Sequence, residues 1–390
     1  MCKIKICDIQ KEKNDGIIKL SFCLKTDNKE EWLWYKIENR FETFLCDDIC
    51  DGVVVSLLPM AINFGYKEII SEYPISEKLY YNLTFHVIPQ FYNICHRYNK
   101  IKIKAPLIDV NYNGDAVAAG MSRGVDSFAT FYEYGNNYQL SKYCISHFTY
   151  FNSGAHHGVD NMERKSKYSN YELYKGQLKG TMKFCYENGY ELIEVDSNLS
   201  DVLKSIFGTW SFHYSHTYRN IGFALLLQRG ISKYYYSSAF NLDMFRLSLN
   251  VDSAQYEKWL LPYLETENMA VYNSNQEWSR LDKIKKIINI KESYKYLCVC
   301  LLDIKNCGTC SKCKKTLMEL DCLGGDILDR YNSVFDVDKY KAEYREKWFR
   351  EINDLRKMPG IYGKDYEEIY KQAQKTNKKL IEFQKNSASN

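Results

Sequence analysis

The alternation of hydrophobic and polar positions along the chain changes character near residue 115. Before that point, two runs alternate with a period of two next to the turn sequence Asn14-Asp15-Gly16, and two longer apolar runs have the length of helices. The predicted elements are strands over Ile17–Leu24, Trp32–Glu38 and Lys100–Lys104, and helices over Asp51–Phe64 and Ser76–His96. Residues 1–107 are therefore predicted to form an N-terminal α+β domain, to which the sequence assigns no role.

From Ala116 onward the order becomes strand, turn, helix and strand again, which is typical of βαβ units around a parallel sheet. The predicted strands are Ala116–Met121, Tyr143–Phe151, Tyr190–Val195 and Lys233–Ser238, and the predicted helices cover 126–134, 171–188 and 215–229. After Asp326 the chain is charged and favours helix. We therefore predict an α/β fold, with a parallel-sheet domain over residues 108–326 and a C-terminal helical extension over 327–390.

Composition narrows the class of protein. Of the 390 residues, 45% are hydrophobic and 26% are charged, as in ordinary globular domains. The net charge of +4 argues against nucleic acid or a membrane surface as the partner. The longest apolar stretch, Gly52–Phe64, is shorter than the roughly 20 residues that a membrane helix needs, and no apolar leader follows Met1. We therefore expect a cytoplasmic protein without a membrane span.

A turn of small residues follows the first predicted strand of the parallel sheet. It runs through Ser122-Arg123-Gly124-Val125-Asp126-Ser127 and opens into a helix. Free backbone N–H groups and the helix dipole attract anions at such a place, and small residues let a phosphate approach the backbone. The hydroxyls of Ser122 and Ser127 add donors, and Asp126 is a candidate partner for Mg²⁺. The alternative is an ordinary strand-to-helix turn in which the same residues cap the helix.

Cysteines are unusually frequent, at 14, and six of them fall between Cys298 and Cys322. Three of these have the spacing C-x₂-C-x₂-C, namely Cys307, Cys310 and Cys313. A tetrahedral zinc ion needs a fourth ligand of the same kind, for which Cys300 is the preferred candidate and Cys298 and Cys322 are alternatives. Reduced thiols that only pack in the core are the other interpretation, and an iron–sulfur cluster is a second metal centre that such ligands suit.

Taken together, these motifs resemble one enzyme family. Ser122-Arg123-Gly124-Val125-Asp126-Ser127 resembles the SGGxDS pyrophosphate loop of the PP-loop ATP pyrophosphatases, although Arg123 stands where that family has glycine. The loop, the CGxCxxC cluster and the segment Tyr218-Arg219-Asn220 are similar to the 7-cyano-7-deazaguanine synthases (QueC) and QueC-like proteins over roughly residues 115–320. The resemblance implies a parallel sheet of the PP-loop or HUP (adenine nucleotide alpha hydrolase-like) type. It also implies Zn²⁺ bound by Cys300, Cys307, Cys310 and Cys313, next to a C-terminal helical segment.

The same resemblance implies an ATP-dependent ligase or synthetase. Such enzymes bind ATP and Mg²⁺ at the loop, adenylate a carboxylate or amide oxygen with release of pyrophosphate, and let ammonia, an amine or another nucleophile displace AMP. The implied nucleotide-binding residues are Ser122, Arg123, Gly124, Val125, Asp126 and Ser127, and the implied catalytic residues are Asp126, Arg219 and Asn220. Arg219 would hold the α-phosphate or a substrate carboxylate. The implied substrate is a small molecule, a deazapurine-like compound or a protein terminus, and a homodimer is compatible with the resemblance.

Other interpretations stay open at this level. A PP-loop sulfur transferase would need a redox cysteine near the loop, for which Cys144 is the candidate. A nucleotide-binding partner protein without catalysis would follow if Arg123 has altered the loop. Arg219 and Asn220 could also be a surface pair at the start of a helix. Further candidates are Lys283 as a basic site residue and, as general bases, His156, His157, His213 and His216.

Overall fold

The structure is a computed structural model, and it describes residues 2–94, 100–135, 138–156, 166–209, 211–248 and 251–383. The described residues form the strands β1 (Lys3–Asn14), β2 (Ile17–Lys25), β3 (Glu30–Glu38), β4 (Glu68–Ser71), β5 (Ile75–Ser76), β6 (Lys102–Lys104), β7 (Leu107–Ile108), β8 (Ala116–Gly120), β9 (His147–Phe151), β10 (Glu191–Ser197), β11 (Ile231–Ser237) and β12 (Ala270–Ser274). Each strand predicted from the sequence is present. The one predicted from Tyr143 begins at His147, because a 3₁₀ turn precedes it.

The described helices also match the predictions and add to them. They are α1 (Asp51–Asn63), α2 (Glu77–Asn82), α3 (Ile88–Ile94), α4 (Val125–Tyr134), α5 (Asn170–Asn188), α6 (Leu199–Phe207), α7 (Phe212–Leu225), α8 (Glu257–Leu260), α9 (Arg280–Ile287), α10 (Lys291–Tyr296), α11 (Ser311–Cys322), α12 (Val337–Lys339), α13 (Arg345–Arg350), α14 (Ile352–Leu355), α15 (Ile361–Thr376) and α16 (Lys379–Glu382). A π-helical turn over Leu83–Val87 joins α2 to α3. Among the described residues, no helix has the length and hydropathy of a membrane span.

Ten strands form one sheet in the order β12-β11-β8-β9-β10-β3-β2-β1-β4-β6. The strands from β8 to β12 are parallel to one another, and their order in the sheet, 5-4-1-2-3 when they are counted along the chain, is that of doubly wound α/β sheets. In such sheets the order reverses between two neighbouring strands, here β8 and β11, and ligands bind at the carboxyl ends of those strands. The predicted α/β fold with a mainly parallel sheet is confirmed.

The N-terminal ribbon continues the same sheet. β1, β2 and β3 are antiparallel, and β3 pairs with β10 through Tyr35 and Lys36. On one face of the sheet, a single hydrophobic core includes ribbon residues as well as residues of the parallel half, and the rings of Tyr35 and Phe223 meet edge to face at 5.0 Å. The predicted boundary near residue 107 therefore coincides with no break in the sheet or the core, and the division into domains stays a prediction.

Two helix contacts position the site. On the first face, α1 and α7 approach each other at Gly52 and Gly222, where a Cβ on either residue would collide with the carbonyl oxygen of the other. This contact buries most of α7. On the opposite face, α4, α5, α9 and α11 share a second core with the C-terminal helices, and α15 packs against both α9 and α11. α4 follows β8 and α7 precedes β11, so each face of the sheet has a helix that begins at the carboxyl edge of the parallel strands.

Candidate functional site

The turn between β8 and α4 leaves backbone donors free at the carboxyl edge of the sheet. β8 is almost entirely buried and ends at Gly120, and the helix begins at Val125. The N–H groups of Val125, Asp126 and Ser127 find no acceptor among the described residues, because they belong to the first turn of the helix. The hydroxyls of Ser122 and Ser127 lie 3.3 Å apart in the same turn. Since β8 pairs with β11, this turn stands where ligands bind in such sheets.

Arg123 has a left-handed backbone conformation, with a φ of +61°. Glycine adopts this conformation freely, whereas a residue with a Cβ pays about 1 kcal/mol for it. The buried guanidinium donates to the carbonyl oxygens of Gln177, at 3.0 Å, and Tyr296, at 3.4 Å, and the Arg123 carbonyl oxygen accepts from Cys298 N at 2.9 Å. The residue therefore joins the turn to α5 and to the cysteine segment, and its phosphate contact stays a prediction.

Asp126 is held by a buried lysine from a distant part of the chain. Lys283, in α9, is 1% exposed, and it donates to Asp126 Oδ1 at 2.7 Å and to the carbonyl oxygen of Ser238. Burial alone would raise the pKa of Asp126, but the charges of Lys283, Arg280 and Lys312 outweigh burial and lower that pKa. Asp126 is therefore ionised at neutral pH, and the first turn of α4 has a surplus of positive charge around it.

Arg219 is a buried cation without a counter-charge among the described residues. It lies in the middle of α7 and is 0% exposed, which excludes the interpretation as a surface residue. Its Nη2 donates to Ser200 Oγ, whereas Nε and Nη1 have no hydrogen-bond partner among the residues that the structure describes. Burial lowers the pKa of the guanidinium to about 9. A side chain at Gly154, in the loop after β9, would collide with this guanidinium. An anion bound at this edge of the sheet would supply the missing charge.

Asn220 follows Arg219 in α7, and two histidines lie nearer the start of the same helix. Asn220 Oδ1 accepts from Ser153 Oγ at 2.7 Å, in the loop after β9. His216 Nε2 lies 2.7 Å from one carboxylate oxygen of Asp252, and His213 Nδ1 lies 3.4 Å from the other. Burial opposes the ionisation of Asp252, but the hydrogen bonds from both histidines hold its pKa well below the ordinary value. The structure therefore gives both candidate bases a carboxylate partner that no sequence motif singled out.

Glu257 is a second acidic group that the sequence did not reveal. Its side chain is fully buried at the start of α8, where Oε1 accepts from Ser238 Oγ at 2.8 Å and Oε2 has no hydrogen-bond partner in the described part of the chain. Burial raises the pKa of Glu257 to about 8. Because Ser238 also accepts from Lys283, Glu257 borders the site around α4. A lone glutamate outside any motif carries no signal in the sequence, since only the fold brings it to the strand ends.

The remaining candidates belong to other segments than the turn, and of these His156 contacts Gln177, whose carbonyl oxygen accepts from Arg123. His156 Nε2 lies 3.2 Å from Gln177 Oε1, against α5, and His157 lies outside the described residues. Cys144 comes before β9 and is therefore at the amino edge of the parallel strands, whereas the turn after β8 is at their carboxyl edge. A cysteine at that end of the sheet is poorly placed for chemistry on a ligand bound at α4.

Four thiols meet beside α11. The sulfur atoms of Cys300, Cys307, Cys310 and Cys313 all lie within 4.8 Å of one another. A tetrahedral zinc ion with sulfur ligands at about 2.3 Å places those sulfurs about 3.8 Å apart, so the group has nearly the required size. The backbone N–H of Cys310 donates to Cys307 Sγ at 3.3 Å, and that of Leu302 donates to Cys300 Sγ at 3.4 Å. These donors stabilise thiolates, and the four cysteines therefore fit a zinc ion that keeps no open position.

The structure also decides between the candidates for the fourth thiol. Cys298 Sγ lies 3.7 Å from the Ile304 carbonyl oxygen, and Cys322 Sγ lies 3.1 Å from the Glu319 carbonyl oxygen, so both are buried outside the group of four. Hydrogen bonds among the four thiols lower the pKa of Cys307 and Cys310 and raise that of Cys300 and Cys313, as expected of neighbours that share protons.

Comparison of the chain with family models, with curated proteins and with solved structures found no match. No relative therefore supplies a substrate, a partner or a reaction. The turn at α4, the buried cations and the thiol group are therefore the features that bear on what the protein does.

Proposed function

We propose that this protein is a QueC-like, AMP-forming ATP-dependent ligase of the PP-loop type. In this proposal ATP binds at the turn between β8 and α4, and a carboxylate or amide oxygen of a second substrate attacks its α-phosphorus. That substrate is a small molecule, a deazapurine-like compound or a protein terminus. The proposal extends the sequence resemblance with the positions of the charged groups around the turn.

One observation carries the proposal. Three unpaired N–H groups, those of Val125, Asp126 and Ser127, stand at the carboxyl ends of β8 and β11, and buried cations surround them. Polyphosphate needs donors and positive charge at one place, and preorganised groups in a partly buried site stabilise the charge that builds up on the leaving pyrophosphate. Asp126 would hold Mg²⁺ through the carboxylate oxygen that Lys283 does not engage.

Arg219 fits the other half of the reaction. Its two unpartnered nitrogens are suited to a planar or tetrahedral anion, which would be the α-phosphate or the carboxylate of the substrate. As the substrate oxygen bonds to the α-phosphorus, the bond from phosphorus to the bridging oxygen breaks and pyrophosphate leaves with the electron pair. Ammonia or an amine then attacks the activated carbon, AMP departs, and a base takes the proton that the nitrogen loses. His216, paired with Asp252, is the candidate for that base.

The sulfur-transferase alternative is less well supported, because Cys144 lies at the opposite end of the strands from the turn. A nucleotide-binding partner protein without catalysis is the second candidate, and the strained Arg123 in the turn is the observation that favours it. The two candidates predict the same binding of ATP and differ in whether the α-phosphorus is attacked.

The test has two stages. Isothermal titration calorimetry with MgATP should give binding that Ser127→Ala weakens, since the hydroxyl of Ser127 lies in the turn. Exchange of labelled pyrophosphate into ATP, measured with a panel of carboxylates and with AMP rather than ADP as the product, then tests adenylation. Absence of ATP binding would refute the proposal. Binding without any exchange would favour the non-catalytic candidate.

A further inference from the structure

The first turns of α11, beside the thiol group, carry three lysines, and two of them are neutralised. Lys314 Nζ lies 2.9 Å from Glu351 Oε2, and Lys315 pairs with Asp365 in α15. Lys312, between the thiols of Cys310 and Cys313, is exposed and forms no hydrogen bond or ion pair with any residue that the structure describes. Among the three lysines at the start of α11, Lys312 is therefore the one that no described acidic residue pairs, and its ammonium is available to a ligand.

The position of Lys312 follows from the helix that bridges the two parts of the site. Lys312, Thr316 and Glu319 share one face of α11, because they are spaced by about one helical turn. Arg280, at the start of α9, donates to Thr316 Oγ1 at 3.0 Å and lies 3.0 Å from Glu319 Oε1. One turn further along α9, Lys283 bonds to Asp126. α9 therefore holds the Lys312 face of α11 beside the first turn of α4.

Hydrogen bonds through Gln177 also connect the cysteine segment to the turn before α4. The side-chain amide nitrogen Nε2 of Gln177 donates to the carbonyl oxygens of Cys300, at 3.1 Å, and Asp303, at 3.0 Å. The backbone carbonyl oxygen of Gln177 accepts from the guanidinium of Arg123, which belongs to the turn before α4. Cys300 is also one of the four thiols, so a metal ion there would hold both ends of the segment that bears Lys312.

We propose that Lys312 is a phosphate-binding residue of the nucleotide site, placed there by the metal-bound segment. The proposal rests on the proposed function, because it concerns the same polyphosphate. The ammonium of Lys312 is placed to act on the phosphates from the side of α11, together with the free N–H groups of α4 and the buried Lys283. Binding of the metal and binding of the polyphosphate then support each other, as linkage requires.

A charge-removing substitution tests this directly. Lys312→Met should weaken the binding of MgATP and of magnesium pyrophosphate, measured by calorimetry, at least tenfold, which is about 1.4 kcal/mol. Lys312→Arg should restore most of the affinity, because it keeps the charge. Lys314→Met is the matched control, since its ammonium lies two residues away and pairs with Glu351 instead. Elemental analysis should find the same zinc content in all three variants.

The outcomes separate this inference from the proposed function. Wild-type protein that binds neither ligand refutes the proposed function. Wild-type binding with equal affinities for Lys312→Met and Lys314→Met overturns the role of Lys312 alone. If Lys312→Met loses metal, the rate of zinc transfer to a chelating dye is the second measurement. Saturating magnesium pyrophosphate should slow this transfer several-fold in wild-type protein, and Lys312→Arg should keep that protection. Release at an unchanged rate would overturn the coupling.

Discussion

Replacing Arg219 by methionine should make the ligand-free protein more stable while removing its capacity to bind the nucleotide. The guanidinium is fully buried, it lacks a carboxylate partner among the described residues, and two of its nitrogens have no acceptor. Removing a buried charge that has no partner relieves a desolvation cost, whereas removing one half of a buried ion pair would create such a cost. Arg219 is therefore expected to be retained for binding an anion and not for stability.

The size of the effect follows from the pKa. Burial lowers the pKa of Arg219 from its ordinary value to about 9, and a change of this size corresponds to about 5 kcal/mol of unfavourable free energy for the charged form. Losing the hydrogen bond to Ser200 costs about 1 kcal/mol, and the imperfect fit of methionine costs about 1 kcal/mol more. Arg219→Met should thus raise the free energy of unfolding by about 3 kcal/mol and the melting temperature by roughly 5 °C.

Urea unfolding followed by circular dichroism measures the stability, and calorimetry with MgATP measures the loss of binding. Arg229→Met is a suitable control, because the Arg229 guanidinium lies 3.0 Å from Asp47 and 2.8 Å from Asp48. Removing it should lower the stability of the protein. A drop in the stability of Arg219→Met would show that the guanidinium has a partner in the protein. Unchanged affinity for ATP would show that the anion it receives is not part of the nucleotide or its co-substrate.

Three further predictions concern other groups of the site. Cys310→Ser should lose about one equivalent of zinc in elemental analysis together with much of the stability, whereas Cys322→Ser should keep the metal because its thiol lies outside the group of four. Asp126→Asn should cost about 2 kcal/mol in urea unfolding by leaving the Lys283 ammonium buried and unpaired, and adding Lys283→Met should recover most of it; additive losses would contradict the pairing. Burial favours the protonated form of Glu257 in the folded state, so the stability that this gives is complete below about pH 4.5 and is lost as the pH rises to about 8. Glu257→Gln should therefore gain about 5 kcal/mol over wild type across that window, and a constant difference would contradict the raised pKa.

The local elements were predictable because their signals lie within a few residues. The alternation over Ile17–Leu24 and the run of small apolar residues at Ala116 each report which faces of one strand are buried, and both strands are observed. β12, over Ala270–Ser274, was missed because it lies at the edge of the sheet and is only partly buried, so its residues form no clear apolar run. The joining of β3 to β10 was also not predicted, since it depends on pairing between segments far apart in the chain.

The sequence by itself determined the chemistry that was available: a turn of small residues that opens a helix, and three cysteines at a fixed spacing. Only the tertiary structure decided which groups meet there. It paired Asp126 with Lys283, which is 157 residues away, brought Cys300 to the other thiols, and buried Arg219 without a counter-charge. The physical reason is that periodicity and spacing record contacts along one element, whereas burial and charge compensation depend on the surfaces that different elements bring together.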